Sequence, residues 1–210
     1  MNKLLLPLML IFINIGYGQK FFSEGTITYA VMTTVDGKPI AEGVYSVQQI
    51  KGSFTRVELN SPVGKTITLF NARDEEGAIL QEFGSQKIMI PVTKENIEER
   101  NAKYHDIVFT TTNETKQILD YTCNKAKTVL SDSTVIEAYY SKDLITDNFG
   151  IGFQFGKLPG LALEFSSVSG NKAVKYNVLS INFEPVPIQI FDLPTSGYRV
   201  MSFEESRKKK

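Results

Sequence analysis

Two chemically reactive side chains occur once each in this chain of 210 residues, His105 and Cys123. A thiol and an imidazole in contact would form the pair that activates a nucleophile in cysteine hydrolases. Their positions in the sequence do not require such a contact, and each has a simpler role. Cys123 lies in an alternating stretch and suits a small buried apolar residue, with Lys125 on the same strand face as the only feature favouring a reactive thiolate. His105 suits the surface, and a single histidine excludes zinc sites built from several histidines.

The acidic residues cluster at Asp74–Glu76 and at Glu98–Glu99. Neighbouring carboxylates are typical of a solvated surface, whereas a glycosidase pair converges from different elements. The sequence has no nucleophile elbow, phosphate-binding loop, dinucleotide fingerprint or calcium loop. We therefore predict no catalytic residue, no cofactor and no metal. An enzyme of unknown class is the weaker alternative.

The stretch 134–165 combines aromatic residues with glycines outside a plain strand. Glycines at 150, 152, 156 and 160, with Pro159, are typical of a constrained loop. The candidate ligand-binding residues are Tyr139, Tyr140, Phe149, Phe153, Phe155, Leu158, Leu161, Leu163 and Phe165. On the concave face of a curved sheet they would bury a lipid tail or another apolar small molecule. Alternatively, they pack only against one another as core.

A hydrophobic period of two runs through most of the chain and predicts strands with one buried face. Asp36-Gly37 predicts a hairpin turn, Thr112–Glu114 a turn between two short strands, and Pro187–Phe191 a further strand. Thr93–His105 breaks the pattern. Thr93 suits a helix cap and acidic residues precede basic ones, so this segment is the predicted helix, with a charged loop as the alternative.

About a dozen strands and one short helix predict a mainly β fold, a curved antiparallel sheet shaped as a half-barrel. The sequence contains neither a low-complexity linker nor a clear repeat. We therefore expect one β-rich domain over 19–210, with a short basic tail at Arg207–Lys210.

The first eighteen residues resemble a secretory signal peptide. Lys3 precedes an apolar run over 4–15, and Gly16 and Gly18 suit signal peptidase, with cleavage near Gly18/Gln19. The run is shorter than the roughly 20 residues of a membrane-spanning helix, although a retained anchor is the alternative. We expect a periplasmic or secreted protein with no transmembrane segment in the mature chain. A net charge of zero gives no attraction for nucleic acid.

Three segments together resemble the GLPGLI family of secreted proteins from Bacteroidetes-type bacteria. They are Asp120–Ala126 (DYTCNKA), Glu137–Ser141 (EAYYS) and Gly156–Glu164 (GKLPGLALE). Tyr139 stands where the family has tryptophan, Lys157 is inserted before Leu158, and alanine replaces isoleucine at position 162. The family has no settled activity and so implies no catalytic residues. Related domains resemble lipoprotein carriers, a curved antiparallel sheet wrapped over a helix.

The sequence therefore favours a non-catalytic binding protein that holds a lipid or other apolar ligand on the concave face of its sheet. The alternative is an envelope protein that acts through protein–protein interaction or assembly. Its contact surface would be the loop 149–159 or an exposed strand edge.

Overall fold

The computed structural model describes residues 19–146 and 153–208. The strands of the first half are β1 (Lys20–Phe21), β2 (Glu24–Val35), β3 (Lys38–Ala41), β4 (Tyr45–Lys51), β5 (Phe54–Ser61), β6 (Gly64–Asn71), β7 (Glu76–Phe83) and β8 (Gln86–Thr93). The second half contains β9 (Thr110–Ile118), β10 (Tyr121–Val129), β11 (Val135–Ser141), β12 (Leu144–Ile145), β13 (Leu161–Ser169), β14 (Lys172–Asn182) and β15 (Arg199–Val200). The helices are α1 (Lys94–Asn101) and α2 (Phe203–Lys208).

One sheet of 13 strands organises the molecule, in the order β15-β8-β7-β6-β5-β4-β2-β14-β13-β11-β10-β9, with β3 beside β2. All of these pairs are antiparallel except β15 with β8. A separate parallel pair joins β1 to β12. The prediction of a mainly β fold with a large antiparallel sheet and a short helix is confirmed. The second helix, α2, was not predicted.

The two faces of the sheet are buried by different parts of the chain. The inner face, which carries Tyr29 and Phe165, is covered by the segment 155–162 at one end and by α1 and α2 at the other. The outer face buries Ile67, Leu80 and their neighbours. Alternation of side chains along the strands sends residues to one face or the other, except where the register shifts between β9 and β10, β11 and β13, and β2 and β14.

The chain beyond β14 crosses the outer face. The Val186 amide donates to Glu24 Oε1 at 2.9 Å, and the Phe191 ring lies 5.6 Å from that of Phe54. The Tyr198 hydroxyl donates to Glu82, which lowers the pKa of that carboxyl. After β15, α2 packs on the inner face at β8. The C-terminal segment thus wraps around one edge of the sheet.

The predicted helix is present and is capped as expected. The Asn96 amide donates to Thr93 Oγ1 at 3.4 Å, and the Thr93 amide donates to the Asn96 side chain at 3.1 Å. This reciprocal pair forms a capping box, and Ile97 anchors the helix on the sheet. A short 3₁₀ helix, Ala102–Tyr104, follows.

Two predicted elements are wrong. The predicted turn at Thr112–Glu114 lies inside β9, where a register shift opposite Lys125 takes up the irregularity. The predicted strand at Pro187–Phe191 is instead a 3₁₀ helix, Ile188–Phe191, because Ile190 donates locally to the Pro187 carbonyl at 3.4 Å. The segment packs on β5 through the contact between Phe191 and Phe54.

Candidate apolar binding site

A cavity of about 410 Å³ lies on the inner face of the sheet, under the segment 155–162. Its apolar lining comes from Ile145, Phe155, Leu158, Pro159, Leu161, Ala162 and Phe165. Its polar lining comes from Gln19, Tyr29, Gln48 and Thr146, and Gly156 and Gly160 complete the wall. The described part of the cavity is therefore built by Gln19, β2, β4, the end of β12 with Thr146, the segment 155–160 and β13.

An aromatic cluster forms the wall of the cavity. Phe165 stacks on Tyr176 with 4.5 Å between ring centroids and 15° between ring planes. Phe155 lies 4.6 Å from Phe165, and Tyr29 meets Phe165 edge-on at 5.6 Å. These distances lie in the favourable range for aromatic pairs, so each ring fixes its neighbour.

Tyr29 ties β2 to β13 beneath the cavity. Its hydroxyl donates to the Ala162 carbonyl at 2.9 Å, although β14 separates the two strands within the sheet. Burial strongly raises the pKa of Tyr29. The phenol is therefore neutral at physiological pH and serves as a fixed hydrogen-bond donor inside the fold.

The return of the chain into β13 requires glycine at position 160. A β-carbon on Gly160 would lie 2.0 Å from the Ser141 carbonyl oxygen, far inside van der Waals contact. One turn earlier, the Leu158 amide donates to the Phe155 carbonyl at 2.9 Å. The backbone itself thus packs against the end of β11 and holds Phe155 and Leu158 over the sheet.

The structure brings four of the predicted residues to the cavity: Phe155, Leu158, Leu161 and Phe165. Tyr140 and Leu163 do not line it, because both are fully buried in the main core beneath. Phe149 lies outside the described residues. Phe153 opens a short 3₁₀ helix, and its side chain is also outside the described part.

Tyr139 does not line the cavity and lies on the opposite face of β11 from Tyr140, partly buried beside the main core. Its hydroxyl donates to Glu114, and the ammonium groups of Lys116 and Lys125 lie 5.3 and 5.6 Å from the ring centroid. The alternation that buries Tyr140 turns Tyr139 outward. Hydrogen bonding to Glu114 raises the pKa of Tyr139 and lowers that of the carboxyl.

Tyr29 and Gln48 are the main contributors that sequence reasoning missed. Tyr29 occupies an inward position in the clear alternation of β2, so its burial was predictable. Gln48 occupies an inward position in β4 between Ser46 and Ile50, which are also buried. The apolar residues Tyr45 and Val47 suggest the opposite face for Gln48, so the sequence carries no signal for its inward position.

Cys123 and His105 lie in different environments. Cys123 is fully buried in the main core, and burial raises the pKa of its thiol to about 11, with Asp143 and Glu164 adding to the effect. The thiol is therefore protonated at neutral pH. His105 is exposed beyond the 3₁₀ helix.

Within residues 19–146 and 153–208, the acidic residues, histidine and cysteine form no group of three suited to a metal ion. No helix in that part of the chain has the length and apolar character needed to cross a membrane.

No protein-family model matches the chain, and no curated protein matches it. Among solved structures, PNGF-II superposes with a TM-score of 0.51 and 14% identity over 88% of this chain and 32% of that one. MucB superposes with a TM-score of 0.43 and 8% identity over 82% of this chain and 58% of MucB. A LolA superfamily protein from Nitrosomonas europaea superposes with a TM-score of 0.35 and 11% identity over 81% of this chain and 90% of that protein.

The chain thus spans about a third of PNGF-II and little more than half of MucB. At such low identity the likeness to PNGF-II concerns the fold alone. The class defined by the fold is a mainly β protein built on one large, mostly antiparallel sheet.

Proposed function

We propose that this protein is a non-catalytic binding protein that holds a lipid or another apolar small molecule in the cavity on its inner face. The cavity itself carries the proposal. Its volume of about 410 Å³ falls in the range of roughly 300–1,000 Å³ typical of ligand pockets. Aromatic and aliphatic side chains form most of its lining, as in sites for apolar ligands.

The site is built for holding rather than for converting a ligand. The aromatic wall is fixed by ring packing, and Tyr29 is committed to the Ala162 carbonyl. Tyr29 is the titratable group among the described lining residues, and burial raises its pKa away from the range useful for acid–base catalysis. A preformed, rigid pocket lowers the entropic cost of binding.

We propose further that residues 19–210 form one domain of the GLPGLI family, exported to the periplasm or beyond after cleavage near Gly18/Gln19. The residues just after this position are bound into the fold. The Lys20 amide donates to the Asp143 carbonyl at 2.6 Å, and Gln19 lines the cavity. The three segments that resemble the family lie in β10, in β11, and at the cavity and β13, consistent with one structural unit.

Pyrene, a hydrocarbon fluorophore, tests the site directly. We expect wild-type protein to bind pyrene and Phe155→Ala to bind it about tenfold more weakly, because the wall loses one large aromatic contact. Phe54→Ala is the matched control, since Phe54 packs against Phe191 on the outer face at 5.6 Å. The control should bind as wild type does. Fluorescence titration of the three proteins measures the difference.

Organic extraction of the natively purified protein, followed by mass spectrometry, should recover a co-purified apolar molecule at a reproducible ratio. Equal pyrene affinity in both variants, or a protein that binds no pyrene and carries no extractable molecule, would refute the proposed site.

A protein partner in the envelope is the second candidate function, and strand β9 favours it. β9 forms the end of the sheet and, among the described strands, pairs with β10 alone; eight of its nine residues are exposed. Such an edge can accept a strand from another protein.

Lysine on an edge strand opposes this pairing, so the double substitution Thr111→Lys and Thr115→Lys in β9 should abolish capture of a partner protein from envelope fractions. The same two-lysine change at Ser85 and Ser196, in exposed turns, is the control. Unchanged capture would exclude the edge.

A further inference from the structure

We infer that the cavity takes an uncharged amphiphile, an apolar chain that ends in a hydroxyl or amide, and that Gln48 recognises the polar end. The inference rests on the proposed function, since it names the chemical class of ligand for the same cavity. It is carried by two observations: the state of the Gln48 side chain and the distribution of charge around the cavity.

Gln48 is a buried polar residue with unused hydrogen-bonding capacity. It lies in the middle of β4, opposite Ile27 of β2 and Val57 of β5, and it lines the cavity. Only 4% of the residue is exposed, and its Oε1 receives no hydrogen bond within the described chain. Leaving a buried carboxamide oxygen unpaired costs free energy, which a ligand that pairs with it would recover.

Tyr29, a second polar residue of the cavity lining, already uses its hydroxyl hydrogen. Tyr29 gives its hydroxyl hydrogen to the Ala162 carbonyl, so it cannot also donate to a ligand. Gln48 offers both a donor and an acceptor, and rotation about its terminal bond exchanges them. A hydroxyl or an amide also combines donor and acceptor, and is therefore the group that complements Gln48 best.

The charges near the cavity argue against an anionic ligand. The described lining contains no Lys, Arg, His, Asp or Glu. The nearest cations of β4 and β5 are engaged on the outer face: Lys51 pairs with Glu24, and Arg56 pairs with Glu58. Lys157 is exposed in the segment above the cavity and is not part of its lining. A carboxylate enclosed here would lose its hydration without gaining a counter-charge.

Displacement of pyrene by three ligands of equal chain length tests the inference: decanol, decanamide and decanoate. The measurement is made at a pH where decanoate is fully ionised. We expect decanol and decanamide to displace pyrene from wild-type protein at concentrations at least tenfold lower than decanoate. Gln48→Leu should weaken the binding of decanol and decanamide by about two- to tenfold, the effect of losing one hydrogen bond. The affinity for pyrene itself should not change.

Gln49→Leu is the matched control. Gln49 is the next residue of β4 and accepts a hydrogen bond from Arg56 on the outer face at 3.0 Å. Its replacement should therefore not change the affinity for any of the ligands. The Gln48→Leu variant should fold, since it removes an unpaired polar group from the interior.

The outcomes separate the two proposals. If pyrene binds but decanoate equals or exceeds decanol, or if Gln48→Leu leaves decanol unchanged, the ligand class is wrong while the cavity remains a binding site. If neither pyrene nor decanol binds to wild-type protein, both proposals fall.

Discussion

Replacing Gly160 by alanine is expected to lower the free energy of unfolding by about 3 kcal/mol. The reason is steric. A β-carbon at this position would lie 2.0 Å from the Ser141 carbonyl oxygen and 2.7 Å from its carbon, and both belong to backbone that cannot turn aside. The end of β11 and the start of β13 would have to separate, which also displaces the segment that roofs the cavity. Urea unfolding measures the loss.

Gly170→Ala is the control for this substitution. Gly170 has φ +58°, and nothing lies within 4 Å of its missing β-carbon. Alanine at this position would have to adopt the left-handed backbone conformation, which should lower the free energy of unfolding by about 1 kcal/mol. If Gly160→Ala were no more destabilising than Gly170→Ala, the close approach between Gly160 and Ser141 would not constrain the native fold.

Truncating Leu163 to alanine should cost about 3 kcal/mol of stability. Leu163 is 0% exposed and belongs to the largest core cluster, so the substitution removes buried apolar contact and leaves a void that the rigid sheet cannot close. The effect identifies Leu163 as part of the core that supports the cavity, rather than as a residue that touches a ligand. The change in free energy of unfolding is the quantity to measure.

Leu179→Ala provides the comparison, because Leu179 is 56% exposed on the neighbouring strand β14. It should change stability by no more than about 0.5 kcal/mol. Similar losses in the two variants would contradict the burial of Leu163 and the assignment of the core.

The sequence pattern predicted the strands well where local chemistry and tertiary pairing agree. The β2–β3 turn is an example: Asp36 and Gly37 have φ values of +51° and +73°, the conformation of the tight hairpin turn their types predict. The segment 187–191 shows the opposite case. Its alternating isoleucines have the period of a strand, but pairing with another strand is a tertiary property that periodicity does not encode.

The candidate site was predictable in its composition and not in its geometry. Phe155, Leu158, Leu161 and Phe165 were selected because aromatic and aliphatic residues cluster there. Tyr139 and Tyr140 could not be told apart, since a shift of one position exchanges the faces of a strand and both residues are tyrosine. Gln48 was missed because a polar side chain at an inward position looks like a solvent-facing one.

The wrapping of the C-terminal segment gives the sheet two unlike ends. At one end β15 contributes only two residues beside β8, and α2 lies close to the same strand. At the other end, the terminal strand β9 has nine residues. Among the described strands, β9 therefore offers the longer continuous edge, and a strand from another molecule would be expected to add at β9 rather than beside β15.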